Sequence, residues 1–313
     1  MANRIKEKYM AGKRYFDYPM LFLVIFLICF GLVMIYSTSS YKSTVTYGNS
    51  YHWLLRQAVA IVLGAVAMVV CCKLDYRIIK SEKVGNGCYW ASIVLLDLVL
   101  IIGAAKKGAV RWISIAGFQF QPSEVSKILV VIYLANRLSA NAHKIRTFKD
   151  SIVIVLPTVP IIALIVTQNL STALVVCSMI GVMLFVVSPK MKELMLTAGG
   201  GIILLFVYLL TANSYRNERV QIWLHPESHK KGFQTMQALY AIGSGGIFGK
   251  GLGQSMQKLG FLPEANNDMI FSVICEELGL FGALCVLALF FALLWRFMVI
   301  AINAPDLYGS MLV

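Results

Sequence analysis

Residues 18–36 read YPMLFLVIFLICFGLVMIY, nineteen positions without one charged side chain. At about 1.5 Å per residue a helix of that length rises about 28 Å, close to the ~30 Å hydrocarbon core of a bilayer. Working outward, similar apolar runs recur at Trp53–Cys72, Cys88–Ala105, Pro122–Ala135, Ser151–Thr167, Thr172–Val187, Leu194–Thr211 and Met269–Ile300. The pattern predicts an all-α, polytopic membrane helix bundle with eight spans. The fourth and sixth are short, and the eighth is long enough to tilt or to continue past the bilayer. Composition agrees: 58% of the 313 residues are hydrophobic and 14% charged, with a mean hydropathy of +0.74. Soluble domains carry about 25% charged residues, and disorder requires low hydrophobicity.

The net charge of +13 does not point to nucleic acid, because the basic residues sit in short loops and no nucleic-acid-binding motif accompanies them. Arg4, Lys6, Lys8, Lys13 and Arg14 precede the first run. The second connection carries Lys73, Arg77, Lys80 and Lys83, the fourth Arg137, Lys144, Arg146 and Lys149, and the sixth Lys190 and Lys192. The first connection, Ser37–His52, has only Lys42. The positive-inside rule then puts the amino terminus in the cytoplasm. No small-residue cleavage site follows the first run, so it reads as a retained span rather than a signal peptide. The seven cysteines fall in or at the ends of apolar runs without metal or disulfide spacing, and are expected as small buried hydrophobes.

Two segments placed outside break the charge trend. Ala104–Gln121 holds Lys106, Lys107 and Arg111; 212–268, the one large non-membrane piece, holds Arg216, Arg219, Lys230, Lys231, Lys250 and Lys258. Two readings stand: binding of an anionic headgroup or pyrophosphate, or weak charge constraint on long external segments. Within the second segment, Gly243–Gly253 has six glycines in eleven positions. It lacks the Walker A order, since Gly251 follows Lys250, and reads either as a phosphate-approaching loop or as a mobile linker. Leu262-Pro263-Glu264-Ala265-Asn266-Asn267-Asp268 then leads into the eighth run. Asp268 reads either as a helix-start acid or as a general base at the outer membrane surface.

Ionisable residues inside a membrane are costly and pair or serve a site. Glu124 and Lys127 can share a helical face at the outer end of the fourth run. Glu276 and Glu277 lie about 12 Å along the eighth run from Asp268. These four are expected at a substrate cavity, with a polar network holding the bundle as the plain alternative; Asp97 is expected in such a network. Ser-His-Asp chemistry is disfavoured, because His52, His143, His225 and His229 fall in loops and no nucleophile elbow is present.

Val110-Arg111-Trp112-Ile113, Gln121-Pro122-Ser123-Glu124 and Lys127 resemble the signature of the SEDS family (shape, elongation, division and sporulation). So do Ala241–Gly246, Gly249-Lys250-Gly251, Pro263-Glu264-Ala265, Asp268 and Glu276-Glu277-Leu278-Gly279. The resemblance covers nearly the whole chain as a single SEDS-type membrane domain, 1–313. Gly31–Ser37 and Gly251–Lys258 make it more similar to the division branch than to the elongation branch, with the sporulation branch also near.

The resemblance implies a peptidoglycan glycosyltransferase that polymerises lipid II outside the bacterial cell membrane, at the division septum. Undecaprenyl pyrophosphate would leave, and a class B penicillin-binding protein and other divisome membrane proteins would be partners. It places the catalytic acid on Asp268, as general base on the acceptor hydroxyl, and substrate contacts on Arg111, Glu124, Lys127, Lys250, Glu264, Glu276 and Glu277. No cofactor is implied with certainty; a divalent cation stays open. A lipid II flippase and a non-catalytic scaffold are the competing readings. Two departures stand out. Asn169 occupies the place of an acid in a family Gln-Pro-Asp-Leu-Gly-Thr motif, and Ala304–Val313 looks like the first turns of a ninth span, cut off where relatives continue through about ten. The function is therefore assigned to the complete protein, and the chain alone is expected to be poorly stable and inactive.

Overall fold

The computed structural model describes residues 16–106, 109–115, 118–145, 147–188, 200, 221–229 and 232–313. Within them the apolar runs are helices, mostly longer than the runs themselves. Helix α1 covers Tyr18–Tyr47: Asp17 caps its start, accepting the Met20 N–H at 2.9 Å, and nothing breaks it before Gly48 at φ 67°. Ser37–Tyr47, expected as part of a connection, is therefore helical. Ser37, Thr38, Ser39 and Ser43 on these turns are buried. Helix α2 is His52–Lys73. Helix α3, Glu82–Ile102, starts six residues before the apolar run, because Ser81 caps it through the Val84 N–H and Glu82 suits the positive helix end.

The departure from a purely helical chain follows α3. Strands β1 (Ala104–Lys106), β2 (Ala109–Ile115) and β3 (Phe118–Phe120) form an antiparallel meander in the order β1-β2-β3, with Ala105 opposite Val110 and Ser114 opposite Gln119. Val110, Trp112, Ile113 and Ile115 give β2 the branched and aromatic content that fits a pleated surface. Helix α4, Pro122–Asn141, runs six residues past its apolar run. The fifth run is bent: α5 (Phe148–Val155) and α6 (Val159–Gln168) are joined by one tight turn at Leu156–Thr158, where Pro157 has no N–H to give. Helix α7 is Leu170–Val187, and Asn169 caps it by accepting the Ser171 and Thr172 N–H groups. The residue that departs from the family motif thus has a structural task here. The seventh run, Leu194–Thr211, lies outside the described residues except at 200, as do the amino-terminal arm, Arg216, Arg219, Lys230 and Lys231. Helices α8 (Phe233–Ser244), α9 (Ile270–Ile302) and α10 (Leu307–Leu312) complete the described chain.

Among the described residues six helical segments are long and apolar enough to cross a membrane: α1, α2, α3, 149–168, α7 and α9. Helix α4 is long enough but carries Glu124, Lys127 and Arg137. The protein is a multi-pass membrane protein, and its exposed apolar side chains follow from that. Helix α2 buries none of its residues. Five of the seven cysteines (Cys29, Cys71, Cys72, Cys177 and Cys285) are likewise exposed, and only Cys275 is buried. The expectation of buried cysteines fails because an apolar residue on a span needs no protein cover; lipid serves as well.

The chain divides into two compact units, Met1–Lys73 with Phe206–Val299, and Leu74–Leu205 with Ile300–Val313. In the first, the Asp17 carboxylate accepts from Arg296, tying the start of α1 to the last turns of α9. In the second, Leu96, Leu134, Leu138, Ile161, Ile165 and Val176 form a sealed core. Its buried amides are matched to carbonyls: Gln168 donates to Leu96 at 3.1 Å and Asn136 to Ile79 at 3.0 Å. Asp97, expected in such a network, is instead exposed on α3.

Helix α10 is fastened to this unit through Asp306. Its carboxylate caps Gly309 at 2.9 Å and accepts from Tyr76 Oη at 2.9 Å and Lys80 Nζ at 2.8 Å, while Tyr308 is buried and stacks on Tyr76. Partial burial pushes the Asp306 carboxyl up, but the bonds from Lys80, the Gly309 N–H and Tyr76 outweigh it and hold its pKa below the usual value. A carboxylate with a lowered folded pKa contributes stability above the unfolded value of about 3.9, and loses it as pH falls through the folded value. Asp306→Asn keeps the cap and loses the charge. It is expected to cost about 1 kcal/mol at neutral pH, and thermal melts of mutant and parent should converge as pH drops below about 4.

Candidate functional site

Helix α9 carries the acids of interest and is not continuous. At Gly279 the backbone turns to φ 69°, ψ −170°, which breaks the intrahelical ladder one turn beyond Glu276. The glycine-rich segment fills the break. Lys250 N–H donates to Glu276 O at 3.0 Å and Gly251 N–H to Glu277 O at 2.9 Å; in return Leu280 N–H reaches Gly246 O at 2.9 Å and Phe281 N–H reaches Ile247 O at 3.0 Å. Side chains would not fit. A Cβ at Gly249 would stand 2.2 Å from Glu277 O, one at Gly245 2.0 Å from Cys275 O, and one at Gly279 2.3 Å from Gly249 N. Gly245 and Gly249 of this segment therefore serve close packing against α9, which a loose linker would not need. They let one backbone lie against another.

Glu276 and Glu277 are both fully buried. Being adjacent on a helix, they point about 100° apart, and each finds its own lysine. Glu276 accepts from Lys250 Nζ at 2.8 Å, from Ser255 Oγ, and from the Met256 N–H at 3.2 Å. Glu277 accepts from Lys258 Nζ at 2.7 Å and from Ser37 Oγ of α1 at 2.7 Å, and Lys258 also donates to Ser37 at 2.9 Å. Lys258 is buried with them. These two clasps fix the segment 250–258 onto α9 and, through Ser37, onto α1.

The loop that follows is fixed from below. Leu262 and Ala265 are buried against Ala238 and Val273. Glu264 takes a left-handed φ of 53°, and its carbonyl accepts the N–H groups of Asn267 at 3.0 Å and Met269 at 3.2 Å. Asp268 stands on this loop two residues before α9. It is exposed, and none of the described hydrogen bonds uses its side chain to cap the helix. Beside the loop lies a cavity of about 270 Å³ whose other wall is α1, with Thr38, Tyr41 and Lys42 facing Lys258, Pro263, Glu264 and Asn266. Among the described residues no three His, Cys, Asp or Glu side chains cluster as metal ligands would.

The family model described as cell cycle protein, covering FtsW, RodA and SpoVE, matches residues 18–313. The chain belongs to the FtsW/RodA/SpoVE family. It is 37% identical over 309 residues to the probable peptidoglycan glycosyltransferase FtsW of Geobacter metallireducens, covering 95% of this chain and 80% of that one. To the stage V sporulation protein E of Bacillus subtilis it is 36% identical over 304 residues, covering 94% and 81%. Among solved structures it matches a chain of a peptidoglycan synthase complex that coordinates polymerization and crosslinking. The TM-score is 0.75 at 27% identity, over 96% of this chain and 82% of that one.

Of the residues expected to act in this SEDS-family protein, the first unit brings together Lys250, Glu276 and Glu277, and sets Glu264 and Asp268 on the adjoining loop. Arg111, on β2, and the pair Glu124–Lys127, 2.8 Å apart on the first turns of α4, belong to the second unit. Ser37, Ser255 and Lys258 fall in stretches that carry the family resemblance but were given no role from sequence, and Lys42 was noted only as the lone basic residue of the first connection. The surplus of lysines in 212–268 was their trace, since buried acids in a membrane require nearby cations. Removing one partner of a buried pair leaves an uncompensated charge worth about 3–5 kcal/mol. Lys258→Met is therefore expected to destabilise by that order, and Lys258→Met with Glu277→Gln by markedly less than the sum of the singles. Additive losses in denaturation would mean the two side chains are not coupled.

Proposed function

We propose that the protein is a peptidoglycan glycosyltransferase that polymerises lipid II during cell division, with Asp268 as general base. The observation that carries the reading is the contrast among acids of one short region. Glu276 and Glu277 are sealed and neutralised, whereas Asp268 is exposed, uncommitted to helix capping, and held on a pinned loop. The name of the Geobacter relative supports the activity.

In the proposed step, Asp268 takes the proton of the acceptor 4-hydroxyl as its oxygen attacks the donor anomeric carbon. The bond from that carbon to undecaprenyl pyrophosphate breaks with inversion, and the pyrophosphate leaves as an anion without a strong acid to protonate it. Lys42 faces the cavity beside the loop and offers a cation there. Glu264 lines the same cavity, and Arg111, Glu124 and Lys127 are retained as binding candidates on the family resemblance. For Lys250, Glu276 and Glu277 the geometry supports positioning of the loop in place of substrate contact. A crosslinking transpeptidase of the penicillin-binding class is the proposed partner, by analogy with the solved synthase complex. Translocation of a lipid-linked precursor draws less support, because Glu276 and Glu277 offer no open polar route.

The complete protein, purified and supplied with lipid II, should form glycan polymer, and Asp268→Ala in it should lower the rate by about 10²–10⁴-fold, the range of a general base. The variant should melt with the parent, since the Asp268 side chain makes none of the described contacts. Polymer yield equal to the parent's would remove Asp268 from the chemistry.

A further inference from the structure

A second polar cavity lies in the other unit, at the membrane face where α3 begins and α4 ends. Its volume is about 550 Å³, and Lys80, Glu82, Asn86, Arg137, Asn141 and Lys144 are among its lining residues. That is within the ~300–1,000 Å³ of small-ligand sites. Gly85 forms its floor, close enough to α4 that a Cβ there would stand 3.2 Å from Asn136 Cβ.

The charges lining it are not equivalent. Lys80 is committed to Asp306 at 2.8 Å. Lys144 is exposed, and Glu82 is the single acid in the wall. Arg137 differs from all of these. The residue is half-buried and its guanidinium interacts with the Tyr133 side chain, 5.6 Å from the ring centroid; its Nε is buried without a hydrogen-bond partner, and no carboxylate pairs with it among the described residues. A buried unpaired guanidinium nitrogen is costly, and the planar fork that carries it matches phosphate oxygens better than any other side chain does. The first turn of α3 also opens here, with the positive end of a 21-residue helix dipole. Retention of loops in the cytoplasm accounts for the number of lysines and arginines at this face. It does not account for an arginine without an acid partner inside a concavity.

We propose that this cavity binds a phosphate group, with Arg137 as its principal ligand and Lys144 as the second cation. Its place at the start of the apolar span α3 puts it at headgroup depth, where an anionic phospholipid would supply that group; soluble phosphate offers the same chemistry. The inference does not rest on the glycosyltransferase reading.

The test uses the full chain in nanodiscs of phosphatidylcholine, with or without phosphatidylglycerol, and in detergent with inorganic phosphate. Lipid retention is read by native mass spectrometry and stability by thermal melting. Phosphatidylglycerol should be retained and should raise the melting temperature of the parent. Arg137→Gln should weaken retention about 10-fold, as for loss of a charge-assisted contact, Lys144→Gln less, and Lys83→Gln, a basic residue of the same face outside the cavity lining, hardly at all. Stabilisation by inorganic phosphate that is lost in Arg137→Gln, without selective retention of phosphatidylglycerol, would assign the site to soluble phosphate. Should Arg137→Gln not fold, Arg137→Lys, which keeps the charge and loses the fork, and Lys144→Gln carry the comparison. Retention and melting in which the cavity variants behave as Lys83→Gln does would overturn the proposal.

Discussion

A hydrocarbon environment offers no water to an unpaired peptide group, so a helix interrupted inside it must be repaired by other protein atoms. The break of α9 at Gly279 sets that demand, and 246–251 meets it with four backbone hydrogen bonds. Each unmet buried peptide group would cost several kcal/mol. That cost makes the glycines of both strands mutually dependent: Gly279 takes the left-handed turn, and Gly249 lets the repairing strand approach it. Segment 246–251 is thereby docked on α9, and the loop that follows it and bears Asp268 inherits that position.

Charge follows backbone. Docking 246–251 on α9 brings Lys250 and Lys258 to either side of two adjacent glutamates, and a buried carboxylate without a cation would be more expensive than the pair. Each lysine satisfies one glutamate, and Ser37 draws α1 into the second clasp. This accounts for the helical continuation of α1 past Ser37, where Ser37, Thr38, Ser39 and Ser43 are buried: the turn at Ser37 packs against the clasp instead of serving as a loose connection. Two acids are used to build the unit. A third, Asp268, is left with its side chain in the open, eight residues before Glu276.

Much of this was legible in the sequence, and the rest was hidden for definite reasons. Apolar run length located the spans, because the bilayer imposes it. The pairing of Glu124 with Lys127 was legible because it is local, three residues apart on one helix. The Lys258–Glu277–Ser37 contact was not, since Ser37 and Glu277 are 240 residues apart and no period or spacing connects them. The glycine-rich segment was recognised as a place of close backbone approach; at Gly245 and Gly249 the partner is the backbone of α9, which glycine content alone does not identify. Helix ends were misjudged wherever a polar cap such as Ser81 lies outside the apolar run. Cysteine burial was misjudged because rules for aqueous proteins do not hold where the solvent is lipid.

The clasps also constrain where a pyrophosphate could be held. Lys250 and Lys258 are each within 2.8 Å of a carboxylate, so neither pair carries net charge, and an incoming anion would have to compete with a bond already made in a buried setting. Drawing either lysine away would expose a bare glutamate and loosen the strand that repairs α9. Among the described residues Lys42 bears no such cost: it is exposed on the wall of the cavity beside the Asp268 loop. Lys42 of α1 and Glu264 of the loop that bears Asp268 thus line the same cavity, while the Lys250–Glu276 and Lys258–Glu277 pairs hold the segment that precedes the loop in place.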